Sequence, residues 1–228
     1  MSRHNWKFLS YSLSSALSGY GDGKRISIRK LKSQAKGDSS NNSEISLPSH
    51  FGTHLDFPLH FNLMGKSIDN YNAEDFVFKS VKIIDLQNIK FSSYLISVEN
   101  LKALELTENQ ETDFLFFKTG YCEIRDTEKY WRYGLGFEIG TAEFIKLKFP
   151  NLKAIGFDLI SLSSYQERKT GRKAHFEFLI ENDLLIIEDV DLRGVSTKTK
   201  IKQLIVAPLR FENADGTPVT ILANIEND

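Results

Sequence analysis

The chain has 228 residues, of which 41% are hydrophobic and 26% charged, and its formal net charge is −1 at pH 7. These values are typical of a globular protein, and we expect residues 1–228 to form a single domain with its own core. A net charge near zero argues against a nucleic-acid partner or an anionic membrane surface. The one cysteine, Cys122, excludes a disulfide within the chain and is compatible with a reducing compartment.

The apolar stretches of the chain are short. The polar start of the sequence lacks the apolar core of a secretion signal, and no apolar run approaches the roughly 18–20 residues of a membrane helix. We therefore expect a cytoplasmic protein without a membrane partner.

Predicted strands outnumber predicted helices along the chain. Runs rich in β-branched and aromatic residues predict strands at 7–13, 25–28, 76–86, 113–118, 154–159, 184–187, 201–211 and 219–225. Apolar residues at helical spacing predict helices at 98–105, 141–148 and 168–181. Because strands and helices alternate most clearly in the second half, the sequence predicts a mixed α/β domain with a large, partly antiparallel sheet.

One polar stretch, residues 33–46, reads SQAKGDSSNNSEIS and is rich in Ser, Asn and Gly. Its composition predicts a loop or arm within the domain. Long loops inside a domain often serve as lids or partner-binding arms.

Three of the five histidines fall within the eleven-residue segment HFGTHLDFPLH, residues 50–60; the other two are His4 and His175. Side chains two or four positions apart in a strand share a face. An extended segment would therefore align four polar side chains: His50, His54, Asp56 and His60. The opposite face would carry the apolar side chains: Phe51, Leu55, Phe57 and Leu59.

This alternation favours a metal site over a polar surface strand. Neutral imidazole and carboxylate groups are good ligands for zinc, manganese or iron. Gly52 permits a close approach of the backbone, and Pro58 is expected to end regular strand pairing.

The segment resembles the H-x-G-T-H-x-D-x-P-x-H motif of the cyclase family of metal-dependent hydrolases, which includes bacterial kynurenine formamidase and isatin hydrolase. Three later segments resemble landmarks of that family in the same order: FLFFKTGY at 114–121, AIGFDLIS at 154–161 and AHFEFLIENDLLIIEDV at 174–190. The resemblance extends loosely from residue 7 to the C-terminus.

The resemblance implies a cyclase-like domain of the swivelling β/β/α type that binds one or two divalent metals, zinc or else manganese, and associates as a homodimer or homotetramer. It implies that His50, His54 and Asp56 are metal ligands. His175 and Glu188 would complete a second metal position, and His60 would transfer protons.

Two departures from the family pattern leave alternatives open. The N-terminal Asp-Leu-Ser of the family corresponds here to Tyr-Ser-Leu-Ser at 11–14, without the Asp. His175 and Glu188 are thirteen residues apart, one more than expected of the family, and an extra residue in the turn at 180–183 would account for this difference. The alternative to Glu188 is Asp189. For His60 the alternative is a role as a further metal ligand.

The resemblance also implies a function, the hydrolysis of an aryl formamide or a small cyclic amide. A divalent metal lowers the pKa of bound water toward about 7 and so supplies hydroxide at neutral pH. The alternatives are a non-catalytic, metal-stabilised binding or assembly module, and a lyase or dehydratase that uses the same site. Four aromatic residues are either pocket or core residues: Phe57, Phe61, Tyr121 and Trp131.

Overall fold

In the computed structural model, which describes residues 5–226, nine strands form one mixed sheet. The strands of the described chain are β1 Trp6–Phe8, β2 Ser27–Lys32, β3 Asn42–Ser46, β4 His54–Asp56, β5 Val77–Phe78, β6 Val81–Asp85, β7 Leu95–Ile96, β8 Phe114–Lys118, β9 Gly136–Phe137, β10 Ala154–Phe157, β11 Leu185–Glu188, β12 Ile201–Pro208 and β13 Gly216–Ile225. The α-helices are α1 Val98–Lys102, α2 Glu128–Arg132, α3 Thr141–Lys148 and α4 Arg168–Phe176. His4 lies outside the described residues.

The order of strands in the large sheet is β5-β12-β13-β4-β11-β10-β8-β6, and β1 pairs with β13. The pairs β6–β8, β8–β10 and β10–β11 are parallel, as expected where helical segments connect successive strands. The pairs β11–β4, β4–β13, β13–β12 and β12–β5 are antiparallel. This topology places the short motif strand β4 between β11 and β13, in the middle of the sheet.

Two hydrophobic cores lie on opposite sides of the sheet. The parallel strands alternate accordingly: Phe114 and Phe116 of β8 face one core, while Leu115 and Phe117 face the other. Helices α3 and α4 cover the second core, where Ala142 and Ile145 of α3 are fully buried. Among residues 5–226, no helix has the length and apolar character to cross a membrane.

The predicted elements agree with this fold, with shifts at their ends. The helix predicted at 141–148 is α3, and the helix predicted at 168–181 is α4 followed by a π-helical turn, Glu177–Glu181. The strand predicted at 76–86 is divided into β5 and β6, which pair with different neighbours.

The loop predicted at 33–46 is wrong for its last five residues. Asn42–Ser46 form β3, which pairs with Ser27–Lys32 in an antiparallel hairpin, and a short 3₁₀ turn at Gln34–Lys36 lies in the connection. Every residue of both strands is exposed, so the polar composition reflects a solvated hairpin rather than an irregular loop.

Candidate metal centre

The motif segment is less extended than its alternation of side chains predicts. His54–Asp56 form the strand β4, and Pro58–His60 form a 3₁₀ turn. Gly52 has a positive φ of 66°, so the chain also turns just before β4. A strand through the whole segment is therefore wrong, although the predicted end of strand pairing at Pro58 is confirmed. Turns on both sides of β4 bring His50 and His60 beside it.

The apolar half of the alternation is confirmed for three of its four residues. Phe51, Leu55 and Phe57 are at most 1% exposed and belong to hydrophobic clusters, whereas Leu59 is half-buried. The apolar side chains of this segment are packed in the hydrophobic core, and this packing holds β4 and its polar side chains in place.

Three motif side chains converge on one point. Nδ1 of His50 lies 2.8 Å from Oδ1 of Asp56, and Nε2 of His54 lies 3.4 Å from the same oxygen. His54 and Asp56 are at most 4% exposed. Imidazole nitrogens and a carboxylate oxygen in this arrangement form a donor set for a divalent metal.

His175 and Glu188 converge on the same point from two other elements, as predicted. Glu188 ends β11 directly opposite His54, and its Oε2 lies 3.3 Å from Nε2 of His54. Nε2 of His175, which projects from α4, lies 3.2 Å from Oε1 of Glu188 and 3.7 Å from Oδ2 of Asp56. The second donor set is therefore Asp56, His175 and Glu188, all of them buried.

Backbone carbonyl groups determine which imidazole nitrogen of His54 and of His175 faces the cluster. Nδ1 of His54 donates a hydrogen bond of 2.8 Å to the carbonyl oxygen of Gly52, and Nδ1 of His175 does the same to Gly171. Because a carbonyl only accepts, Nδ1 of each ring carries a hydrogen, and Nε2, which faces the carboxylates of the cluster, is the nitrogen that a metal would take.

Glu188 is also held in place by its neighbours. The backbone N–H of Leu162 and the hydroxyl of Ser161 donate to Oε1 of Glu188, at 2.6 Å and 3.1 Å. The alternative residue Asp189 points elsewhere: it accepts hydrogen bonds from Arg125 at 2.7 Å and from Tyr130 at 2.6 Å. The geometry therefore favours Glu188 over Asp189.

A carboxylate that sequence reasoning missed, Asp215, joins His50 to His60. Its Oδ2 lies 3.1 Å from Nε2 of His50 and 3.2 Å from Nδ1 of His60. Asp215 comes 155 residues after His60 and stands in an ordinary polar turn sequence, NADG at 213–216. Nothing in this local sequence points to the site; the pairing of β13 with β4 brings Asp215 there.

Gly216, the residue after Asp215, makes room for His50. A Cβ atom at position 216 would overlap the imidazole ring of His50. The ring therefore packs directly against the backbone at the start of β13, between Asp56 and Asp215.

The electrostatics of the cluster favour bound positive charge. Burial by itself lowers the pKa of His50, but Asp56 and Asp215 together raise it to about 10. The hydrogen bond from His50 in turn holds the pKa of the Asp215 carboxyl below its ordinary value. Burial lowers the pKa of His60, despite the opposing effect of Asp56.

These residues lie at the base of a cleft of about 410 Å³. Of the four candidate pocket aromatics, Phe61 lines the cleft and stacks on His175 with ring centroids 4.6 Å apart. Phe57 is fully buried in the core, Tyr121 and Trp131 pack in an aromatic cluster, and none of the three lines the cleft. These last three are packing residues.

Comparison with known proteins shows the family of the chain. Residues 8–164 match the family model Cyclase, described as "Putative cyclase". The chain belongs to the cyclase family. The matched range contains His50, His54, Asp56 and His60 and ends before His175.

Relatives in the cyclase family match across most of the chain. "Cyclase-like protein 2" of Arabidopsis thaliana is 25% identical over 201 residues, which are 82% of this chain and 66% of that protein. "Kynurenine formamidase" of Bacillus anthracis is 26% identical over 223 residues, which are 96% of this chain and 97% of that protein.

A solved structure has the same fold. Isatin hydrolase A from Labrenzia aggregata superposes with a TM-score of 0.76 at 19% sequence identity, and the superposition covers 96% of this chain and 92% of that chain. The predicted cyclase-like α/β fold is confirmed.

Proposed function

We propose that this protein is a divalent-metal-dependent amidohydrolase that acts on an aryl formamide or a small cyclic amide. The observation that carries the proposal is the convergence of His50, His54, Asp56, His175 and Glu188 on one buried point at the base of a cleft. The names of the relatives, kynurenine formamidase and isatin hydrolase, support this class of substrate.

The donor set fits one or two divalent ions. His50, His54 and Asp56 would hold the first ion, while His175 and Glu188 would hold a second together with Asp56, whose two oxygens face the two groups. Three imidazoles and two carboxylates suit zinc, with manganese as the alternative. When bound, the metal supplies a more acidic water and polarises the amide carbonyl.

His60 is the residue we assign to proton transfer. Because the carboxylate of Asp215 accepts a hydrogen bond, Nδ1 of His60 carries the hydrogen and Nε2 is the basic nitrogen. With its pKa lowered by burial, the ring can accept a proton from the attacking water at neutral pH and return it to the departing nitrogen. Asp215 acts through His60 and is a positioning residue.

The direct test combines metal analysis with hydrolysis assays. Purified protein is expected to contain zinc or manganese, and to hydrolyse N-formylkynurenine or isatin in a reaction that a chelator abolishes and added metal restores. Protein that binds the metal without turnover of either compound would instead be the non-catalytic, metal-stabilised module. Release of a substrate fragment by elimination, without uptake of water, would identify a lyase.

The assembly and the compartment are also part of the proposal. We propose a homodimer or homotetramer, which sedimentation of the metal-loaded protein would distinguish from a monomer. Cytoplasmic localisation remains a prediction to be checked by fractionation of cells that express the protein.

A further inference from the structure

The cleft continues past the metal ligands along helix α4. Arg168 and Arg172 line it together with His175. Positions 168, 172 and 175 are separated by four and then three residues, so the three side chains share one face of the helix. With a rise of 1.5 Å per residue, Arg172 lies about 5 Å and Arg168 about 10 Å from His175 along the helix axis.

Arg168 is held against aromatic rings. Its guanidinium lies 4.0 Å from the ring centroid of Tyr165 and 5.7 Å from that of Tyr20. The loop that carries Tyr20 approaches closely because Gly21, at a φ of +65°, has no side chain: a Cβ there would lie 3.1 Å from Cε2 of Tyr165. Contacts of this kind orient the planar guanidinium.

Arg172 has no partner within the cleft. Among residues 5–226, its guanidinium makes no hydrogen bond or ion pair, and its side chain is exposed. The three acidic side chains that line the cleft are already engaged: Asp56 with His50, Glu188 with His54 and His175, and Asp189 with Arg125.

We propose that Arg168 and Arg172 form a binding site for a carboxylate carried by the substrate. The inference rests on the proposed amidohydrolase function and narrows its substrate class to aryl amides with an anionic group remote from the scissile bond. The aromatic ring of the substrate, which joins its amide to its carboxylate, would lie beside Phe61 and Ile160, which also line the cleft. Two guanidinium groups one helical turn apart provide the forked N–H donors that a carboxylate accepts.

A matched pair of substrates tests this assignment. Formanilide and 4-formamidobenzoate share the scissile formamide, and only the second carries a carboxylate, placed across the ring. The quantity to measure is the ratio of kcat/KM for 4-formamidobenzoate to that for formanilide. In the R168Q and R172Q variants we expect this ratio to fall about tenfold, mainly through KM of the anionic substrate, because each variant loses a charge-assisted hydrogen bond.

The same helix offers matched controls. Lys169 and Lys173 are exposed and do not line the cleft, so the K169Q and K173Q variants remove the same charge from another face. The ratio is expected to stay at the wild-type value in both. An unchanged ratio in R168Q and R172Q, or an equal fall in the lysine variants, would overturn the proposal.

A binding measurement separates this inference from the proposed function. Calorimetry of zinc-loaded protein with benzoate and with benzamide reports anion binding without turnover. If the wild type hydrolyses neither formanilide nor 4-formamidobenzoate, the proposed hydrolysis of aryl formamides is wrong. A tenfold loss of benzoate affinity in R172Q but not in K173Q would still support the carboxylate site, and equal benzoate affinity in both would contradict it.

Discussion

The imidazole rings of His50 and His60 stack on each other, with centroids 3.9 Å apart and planes inclined by 28°. Both rings also contact the carboxylate of Asp215. A ring that is one of the proposed ligands is therefore in direct contact with the ring assigned to proton transfer. The two roles can be separated by substitution, because His50 also contacts Asp56 whereas His60 is held through Asp215.

Substitution of His60 and of His54 is expected to give different losses. His60→Ala should lower turnover by about 10²–10⁴-fold and leave the metal content nearly intact, because it removes a general base and not a ligand. His54→Ala should lose metal and activity together. Metal content measured by plasma mass spectrometry, alongside kcat, distinguishes them. Equal metal loss in both variants would make His60 a ligand, as part of the group it forms with His50 and Asp215.

Gly216→Ala is expected to weaken metal binding although residue 216 has no ligand atom. The added methyl group would overlap the imidazole of His50 and displace it from Asp56. We expect metal affinity to fall by about tenfold or more, as for changes in groups that orient metal ligands. In a His50→Ala background the same glycine substitution should have little further effect on metal affinity. An additive loss in the double variant would show that Gly216 acts on something other than His50.

Metal removal and acidification should destabilise the protein in the same way. Metal at 100 times its Kd adds about 2.7 kcal/mol to the free energy of unfolding, and a chelator should remove this amount and lower Tm. Protons compete with the metal for the imidazoles, and because the pKa of His50 is raised, this competition begins well above pH 6. The stabilisation by metal is therefore greatest at high pH and is lost as pH falls. Calorimetric scans with metal and with chelator should therefore converge at pH 5. A constant difference in Tm from pH 5 to 8 would contradict histidine ligation.

The buried ion pair between Arg125 and Asp189 is expected to be important for stability. Both side chains are 2% exposed, and their charged atoms lie 2.7 Å apart. Arg125→Met should cost about 3–5 kcal/mol in the free energy of unfolding, because it leaves a buried carboxylate without its partner. The exposed pair Arg132–Glu128 is the control, at 2.6 Å with side chains 45% and 61% exposed. Arg132→Met should cost less than about 1 kcal/mol in urea unfolding; similar costs at both sites would refute this account.

Cys122 is expected to be unreactive and dispensable for turnover. Its side chain is 1% exposed, and burial, reinforced by the neighbouring Asp158, raises the pKa of its thiol. A thiol reagent at pH 8 should therefore modify native protein far more slowly than protein unfolded in guanidinium, because the thiolate is the reactive form. Cys122→Ala should retain hydrolysis of the wild-type substrate. Rapid modification with loss of turnover would indicate a role for this residue that its packing does not suggest.

Local sequence was sufficient to select four side chains of the candidate site. His50, His54, Asp56 and His60 stand close together in the chain, so their spacing and residue types could be read without tertiary information. Hydrophobic periodicity likewise identified α3 and most of the sheet strands, because burial on one face imposes a local repeat. The hairpin of β2 and β3 was missed except for the start of β2, which the strand predicted at 25–28 overlaps. Its strands are exposed and carry no such repeat.

The chain path through the site was decided by the tertiary structure. Alternation predicted one strand through the motif, but Gly52 and the turn at Pro58–His60 bend the chain on either side of β4. The selection of Glu188 over Asp189 depends on which of two adjacent carboxylates faces inward. The hydrogen bonds from Ser161 and Leu162 to Glu188 hold that carboxylate toward the cluster.

The tertiary structure also decided the positions of Asp215 and of the two arginines that line the cleft. Asp215 reaches His60 only because β13 pairs with β4, and strand pairing joins segments whatever their separation in sequence. Arg168 and Arg172 sit in a basic stretch, RKTGRKAHF, in which two lysines carry the same charge. Charge alone does not distinguish the four side chains. The packing of α4 distinguishes the arginines from the lysines, because the helix face that carries His175 and the two arginines lies toward the cleft and the lysines lie away from it.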